Sequence, residues 1–260
     1  MRVQILSDLH METETFEPEP APGAEALILA GDVDTHWAGL DAFAGWPVPV
    51  LFVPGNHEFD RRDIALARPA LRERVEQLGF VMLDDAECSL TDRAGRRLRF
   101  LGSTRWSDFD LFGLDQRPRS MRAGSYFQRL MGSSLAGEPL DCDKVRALSL
   151  ESRAWLSQAL TQDAPAQPWA ATVVITHFAP SLRSADPRFG RQPTTASFCN
   201  NDEDLLPLAD VWIHGHLHCR QDYQFSHARG QTRVLCNARG HQRKGESQDF
   251  NPLLTLDIGN

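Results

Sequence analysis

Short apolar runs recur along the chain, separated by polar or glycine-rich segments. Runs of this length that are rich in β-branched residues are typical of strands buried on both faces. The predicted strands are 3–6, 26–30, 48–53, 80–83, 98–101, 172–175, 211–213, 234–235 and 253–258.

Two segments between these runs have the spacing of helices. In the first, Leu71, Val75 and Leu78 recur at helical intervals, and we expect the helix to begin at Pro69 and end before Gly79. The second is predicted from Val145, Leu148, Trp155, Leu156 and Ala159. Strands and helices interleave, which indicates an α/β or mixed α+β class. With 260 residues, 42% of them hydrophobic, we expect one domain over residues 1–260.

The segment 105–143 departs from this alternation of predicted strands and helices. Its aromatic residues lie among polar residues without a clean period, so we expect an irregular excursion over the scaffold. It is either a surface loop with its own small apolar cluster or a lid over a substrate pocket. The aromatic residues concerned are Trp106, Phe109, Phe112, Tyr126 and Phe127.

Charge and cysteine content narrow the function classes. The 27 Lys and Arg against 35 Asp and Glu give a net charge of -8, which disfavours a stable nucleic-acid partner. The 5 cysteines are widely spread without a CxxC pair, so neither a disulfide framework nor a structural zinc site is indicated. The first residues do not resemble a signal peptide, and no run of about 18 apolar residues predicts a membrane span. We therefore expect a cytoplasmic protein.

Metal-binding residue types directly follow five of the predicted strands. In an open α/β sheet, the loops at one strand edge converge on a single crevice, so these residues are expected to meet at the carboxyl edge. In chain order they are Asp8 and His10, Asp32, Asn56 and His57, His177, and His216 with His218.

The local spacing within these loops also suits metal binding. Residues i and i+2 of an extended segment point to the same side, so Asp8 and His10 could bind one ion, as could His216 and His218. Nitrogen and oxygen ligands without thiolate favour Mn, Fe or Zn. Each motif alone is a frequent chance event, but the ordered set indicates a metal site. Glycines that permit a close approach precede the ligands at Gly31, Gly55 and Gly215.

The order SDLH, GD, GNHE, TH and GHLH resembles the calcineurin-like metallophosphoesterase superfamily, from Ser7 to the last strand. The resemblance implies a two-sheet sandwich flanked by helices, with the metal site at the carboxyl edge of the strands. It also implies two metal ions, with Mn the ion expected to support activity in vitro.

The ligand assignment follows from the same resemblance. It implies that Asp32 bridges the two metals and that His57 is a catalytic group beside the substrate, either a general acid or a clamp on the transition state. Two cations about 3.5 to 4 Å apart share a water and activate it as hydroxide for in-line attack. The implied ligands are Asp8, His10 and His218 for one metal, and Asn56, His177 and His216 for the other.

The GD motif at residues 31–32 limits which activities of the superfamily are expected. The Ser/Thr protein phosphatase branch has GDxVDRG at this place, whereas residues 31–36 read GDVDTH and lack its second acid and arginine. The chain more closely resembles bacterial stand-alone phosphohydrolases, which predicts a phosphodiesterase acting on a small phosphorylated metabolite or nucleotide. The alternatives are a phosphomonoesterase, a nuclease or a lipid-head-group pyrophosphatase whose acyl chain residues 106–127 would hold. A non-catalytic metal-binding module is disfavoured because no ligand is missing.

Three further residues are candidate substrate contacts. His36 lies shortly after the second motif. Arg239 and His241 follow another apolar run and return to the same edge, where they form either a phosphate contact or a simple turn.

Overall fold

The computed structural model describes residues 1–162 and 168–259, which form two main sheets and flanking helices. The strands of the first sheet run in the order β13-β1-β2-β3-β4, and all neighbours are parallel except β13 with β1. These strands are β1 (Arg2–Leu6), β2 (Ala26–Ala30), β3 (Val50–Val53), β4 (Val81–Met82) and β13 (Thr255–Asp257).

The second sheet has the order β11-β12-β10-β9-β6-β5, with a parallel centre from β12 to β6. Antiparallel hairpins close both of its edges. Its strands are β5 (Ala86–Thr91), β6 (Arg97–Ser103), β9 (Ala171–Thr176), β10 (Val211–His214), β11 (Gln221–His227) and β12 (Gly230–Cys236). A short separate hairpin pairs β7 (Ser134–Leu135) with β8 (Glu138–Pro139).

The two sheets pack face to face through one buried apolar cluster. Ile28 and Leu51 of the first sheet join Phe100, Val173 and Ile213 of the second in this cluster, and all five are fully buried. Burial of this shared face stabilises the sandwich, because the apolar surface leaves water. The mixed α/β class and the two-sheet arrangement are therefore confirmed.

Within the described residues, three α-helices flank the sheets: α1 (Ile64–Gln77), α2 (Arg117–Met131) and α3 (Cys142–Thr161). The prediction that Pro69 opens the first helix was wrong, because Asp63 caps the helix earlier by accepting the N–H of Ala65. Pro69 instead lies inside α1. The second predicted helix is confirmed as α3. Among the helices of the described residues, none is long and apolar enough to cross a membrane.

The segment 105–143 is more regular than expected, since it contains α2 and the β7–β8 hairpin. Its helix was missed because the buried face consists largely of small residues, Ser120 and Gly124, which give no apolar period. A Cβ atom at Gly124 would lie 2.7 Å from the ring of Phe109, so the helix packs closely on the scaffold. Its movement as a lid stays a prediction.

Candidate metal centre

Hydrogen bonds link the two sheets at the carboxyl edge of their parallel strands. The Nδ1 nitrogen of His177, after β9, lies 2.9 Å from the carbonyl oxygen of Ala30 in β2. The main-chain N–H of His216, after β10, donates to Asp8 Oδ1 at 2.8 Å, and Gly215 donates to the carbonyl of His177. These bonds bring loops from both sheets to one site, as the strand pattern predicted.

Asp32 lies at the middle of this site. Its Oδ2 oxygen is 3.1 Å from His177 Nε2 and 4.0 Å from the Nε2 nitrogens of His10 and His57. Among the residues that the structure describes, three groups have candidate ligand atoms within 4.8 Å of one another, and Asp32 belongs to two of them. The groups are His10, Asp32 and His57; Asp32, His177 and His216; and His10, His218 and His241.

The remaining predicted ligands lie around these groups. His218 Nε2 is 2.9 Å from His10 Nε2 and 3.6 Å from Asp8 Oδ1. Asn56 is buried at the same edge and lines the adjoining cavity together with Asp32. The structure thus brings the predicted ligand residues together.

Each candidate imidazole ligand has one ring nitrogen occupied by an oxygen atom of the protein. Such contacts fix the orientation of a ligating histidine and leave its other nitrogen available to a metal. The pairs are His10 Nδ1 with Glu12 (3.1 Å), His218 Nδ1 with Glu246 (2.7 Å), His177 Nδ1 with Ala30 O (2.9 Å) and His216 Nε2 with Ser197 O (3.2 Å). The sequence reasoning missed these partners.

Asn56 Oδ1 is buried at the site without a hydrogen-bond partner. Asp32 Oδ2 and His177 Nε2, also buried, face each other at 3.1 Å and make no other hydrogen bond within the described residues. Buried polar groups are nearly always paired, because leaving one unpaired is costly. All three atoms are metal-ligand types, so the residues present fit a bound cation.

The backbone at the candidate ligands is strained. Asp8, His10, Asp32, His216 and His218 have positive φ angles between 47° and 72°. Residues other than glycine adopt this region rarely, at a cost of about 1–3 kcal/mol each, and such strain concentrates at functional sites. The strain supports a functional assignment for these residues.

The glycines before the ligands permit close approach of the loops. Gly31 has φ +88°, and a Cβ atom there would lie 2.7 Å from the amide nitrogen of Gly55. A Cβ atom at Gly55 would in turn lie 2.7 Å from the amide nitrogen of Asp32. Larger residues would therefore push the β2 and β3 loops apart.

The electrostatics of the site favour positive charge. Burial opposes ionisation of Asp32, but the imidazoles of His177 and His57 outweigh it and hold the pKa of Asp32 well below its ordinary value. Burial likewise opposes protonation of His177, but the Asp32 carboxylate raises the pKa of that imidazole to about 9. A cation bound here would displace the proton from His177 and neutralise the charge of the Asp32 carboxylate.

His57 projects into a cavity beside Asp32 and keeps 36% of its side chain exposed. Its main-chain N–H donates to Asp32 Oδ1 at 2.9 Å, and its Nδ1 lies 2.6 Å from Asp60 Oδ2. Burial lowers the pKa of His57, but Asp32 and Asp60 outweigh burial and raise it to about 10. The imidazole can therefore carry a proton at neutral pH.

Glu58 is a structural part of the site that the sequence reasoning did not assign. Its buried carboxylate accepts the main-chain N–H groups of Asp32 (3.0 Å), Val33 (2.7 Å) and Gly55 (2.6 Å). It thereby joins the loops after β2 and β3. Burial, with a further contribution from Asp32, raises the pKa of Glu58 to about 7. Its place in the GNHE motif was the available signal.

The three predicted substrate contacts differ in position. The ring centroid of His241 lies 4.4 Å from that of His10, and His241 lines the cavity. Arg239 is buried and donates to the carbonyls of Leu9 (2.9 Å) and Thr15 (3.1 Å), so it supports the loops instead. His36 is exposed, and neither it nor Arg239 is among the described residues that line the cavity.

The cavity has a volume of about 520 Å³ and opens directly onto the candidate ligands. One side is polar and carries His241, Lys244 and Glu246. Most of the apolar lining comes from α2 and the loops after β6 and β9, which also contribute polar side chains such as Gln128, Arg188 and Thr194. Its apolar residues include Trp106, Phe127, Leu130, Met131, Phe178 and Phe198.

Comparisons with known proteins agree with this geometry. The chain is similar in structure to the phosphopantetheinyl hydrolase PptH from Mycobacterium tuberculosis, with a TM-score of 0.70 and 19% identity over 96% of this chain and 93% of that one. No curated protein matches the chain in sequence. The family model described as calcineurin-like phosphoesterase matches residues 1–220. The chain therefore belongs to the calcineurin-like phosphoesterase family, and it is a metal-dependent phosphoesterase.

Proposed function

We propose that the protein is a dinuclear metallohydrolase that cleaves phosphodiesters of a small metabolite or nucleotide. The observation that carries this proposal is the shared position of Asp32 in two ligand groups, with its buried Oδ2 oxygen 3.1 Å from His177 Nε2 and 4.0 Å from the Nε2 nitrogens of His10 and His57. A carboxylate shared by two groups is suited to bridge two cations. Family membership supports hydrolysis of a phosphate ester.

The predicted ligand sets fit this proposal. Asp8, His10 and His218 would hold one cation, and Asn56, His177 and His216 the other, with Asp32 between them. Two bound cations would lower the pKa of a shared water and stabilise negative charge on the phosphoryl group. The donor atoms are nitrogen and oxygen, which favours Mn, Fe or Zn.

His57 would deliver the proton to the leaving alcohol. The contact of Nδ1 with Asp60 leaves its Nε2 nitrogen free, and the Asp60 carboxylate would favour the protonated ring even when cations neutralise Asp32. Groups in this position contribute about 10²- to 10⁴-fold in rate as general acids. Asp60 and the N–H bond to Asp32 Oδ1 orient the ring.

The cavity favours a diester over a monoester. It extends from the candidate ligands both toward the polar side with Lys244 and toward the apolar side with Phe127. A phosphate with substituents on two oxygens would occupy both sides, whereas a monoester would leave one empty. The net charge of -8 argues against a nuclease, because a long polyanion requires a basic groove.

The direct test compares p-nitrophenyl phosphate with methyl p-nitrophenyl phosphate, which share a leaving group. Metal-loaded protein should give the higher kcat/KM on the diester, and chelation should abolish both rates. Asp32→Ala serves as the control for contaminating hydrolases. A higher kcat/KM on the monoester would reject the proposal that the protein is a phosphodiesterase. Full activity after chelation would reject the metal-dependent mechanism.

A further inference from the structure

The geometry points to a substrate whose leaving alcohol carries an uncharged apolar arm, held between α2 and the segment 193–198. This inference rests on the proposed function, because it names the substrate class of the same site. The arm would lie in the apolar side of the cavity, and the phosphoryl group would lie at the candidate ligands.

The apolar side begins at the candidate ligands themselves. The ring centroid of Phe178 is 4.1 Å from that of His216, and the centroid of Phe198 is 4.9 Å from the same ring. Phe127 continues the wall from α2, with its centroid 5.0 Å from that of Phe198. An apolar group attached to a phosphate at the site would therefore remain in contact with aromatic rings.

The position of His57 assigns the arm to the leaving group. The main-chain N–H of Arg61 donates to the carbonyl of Met131 at the end of α2, at 2.9 Å. Ser133, just after α2, donates its hydroxyl to the carbonyl of Phe59 at 2.7 Å. The turn that carries His57 is thus fixed to the end of α2, so the alcohol that His57 protonates leaves along this helix.

Apolar residues that line the cavity are exposed to solvent, which also indicates that a ligand covers them. Leu130 is 63% exposed although it lines the cavity, and Phe189, which also lines it, is 62% exposed. An apolar arm would cover such side chains and gain about 0.8 kcal/mol per buried methylene, which is about fourfold in affinity. A charged group on the arm would lose its hydration against these apolar side chains.

The test uses calorimetric binding of methyl-, propyl- and hexylphosphonate to protein loaded with Mn²⁺, at concentrations below micelle formation. The Kd should fall by up to about fourfold per added methylene. Aminohexylphosphonate, which ends in a charge, should bind no better than propylphosphonate. A Kd that is independent of chain length would overturn the inference.

Matched leucine variants locate the arm. Leu130→Asn should weaken binding of hexylphosphonate about tenfold and leave methylphosphonate unchanged, because only the longer chain reaches this residue. Leu66→Asn is the control, since Leu66 is a helical leucine that is 75% exposed and lies outside the cavity. Equal effects of the two variants would overturn the inference.

The binding series separates this inference from the proposed function. Chain-length-dependent binding without hydrolysis of any ester would reject the proposed reaction and retain the ligand class of the cavity. If the protein hydrolyses diesters with metal but the Kd of the alkylphosphonates does not depend on chain length, the proposed reaction is retained and the apolar arm is rejected.

Discussion

The Nδ1 nitrogen of His57 lies 2.6 Å from the Oδ2 oxygen of Asp60, three residues along the same turn. This contact fixes the ring with Nε2 toward the cavity. It also places a second carboxylate, besides Asp32, close enough to stabilise the protonated imidazole. The relationship turns an exposed histidine into a candidate proton donor whose properties can be tested separately from the metal ligands.

The first prediction concerns the leaving group. His57→Ala should lower kcat on alkyl phosphodiesters by about 10²- to 10⁴-fold and change p-nitrophenyl esters much less, because only a poor leaving group needs a proton. Rates on the two ester types and metal content should be measured together. An equal loss on both with metals retained would make His57 an electrostatic clamp, and loss of metal would make it a ligand.

The second prediction concerns pH. Asp32 and Asp60 raise the pKa of His57, and its acid form is lost as pH rises through that pKa; cations bound to Asp32 would weaken its contribution and leave Asp60 as the remaining cause. Asp60→Asn removes one cause of the raised pKa of His57. In the pH–rate profile for alkyl esters, the fall in rate at alkaline pH should therefore shift down by about 1 to 3 pH units. Asp115→Asn is the control, since Asp115 is exposed and outside the cavity. If the fall in rate at alkaline pH does not shift in Asp60→Asn, the assignment of His57 as the proton donor is contradicted.

The third prediction concerns metal content. The unmodified protein should bind about two transition metals per chain, whereas Asn56→Ala should lose one site and Asp32→Ala should weaken both, because Asp32 is shared. Elemental analysis after dialysis gives the stoichiometry, and circular dichroism checks the fold. Saturation of the unmodified protein at one metal with full activity would overturn the dinuclear proposal.

Much of the scaffold was predictable because its central strands are buried on both faces. The run 26–30 was predicted with the bounds that β2 has, and α3 followed from its apolar period. Strand β11 was missed because its residues alternate between exposed and half-buried, so it carries no continuous apolar run. Helix α2 was missed because small residues fill its contact face.

The candidate ligands were predictable for a related reason: they follow buried parallel strands, whose carboxyl ends must meet. Their hydrogen-bond partners were not, because tertiary structure alone brings them near. Glu246 reaches His218 from a turn 28 residues further along the chain. Arg239 shows the converse: its position after a strand suggested either a substrate contact or a turn, and its guanidinium donates to the carbonyls of Leu9 and Thr15.

The fourth prediction concerns stability. Arg105 is fully buried, and Asp202 accepts two of its hydrogen bonds, at 2.8 and 3.0 Å. Asp202→Asn should lower the free energy of unfolding by up to about 3–5 kcal/mol, because it leaves the buried Arg105 with only the Asp108 carboxylate, at 3.2 Å, as an ionic partner. Asp204→Asn removes a carboxylate that is 63% exposed and pairs with Arg153, and should cost at most about 1 kcal/mol. Urea unfolding gives the free energy of unfolding of both variants. Similar losses in the two would show that burial does not determine how much the Arg105–Asp202 pair contributes to stability.

The last prediction concerns His241, which lines the cavity 4.4 Å from the ring of His10 and 5.1 Å from that of His218. As a substrate contact it would donate a hydrogen bond to the phosphoryl group, and His241→Ala should then raise KM about tenfold with kcat and metal content little changed. Burial and the neighbouring imidazoles of His10 and His218 lower the pKa of His241 to about 4, so this contribution should stay constant between pH 6 and pH 8.

His36→Ala is the matched control for His241→Ala, because His36 is exposed and lies outside the described lining of the cavity. Its KM should equal that of the unmodified protein. Loss of one metal in His241→Ala would instead place the ring among the ligands, since its nitrogens lie within 4.8 Å of those of His10 and His218. An unchanged KM with both metals retained would leave residues 239–241 as a turn that only supports Glu246, which accepts the N–H of His241 at 2.9 Å.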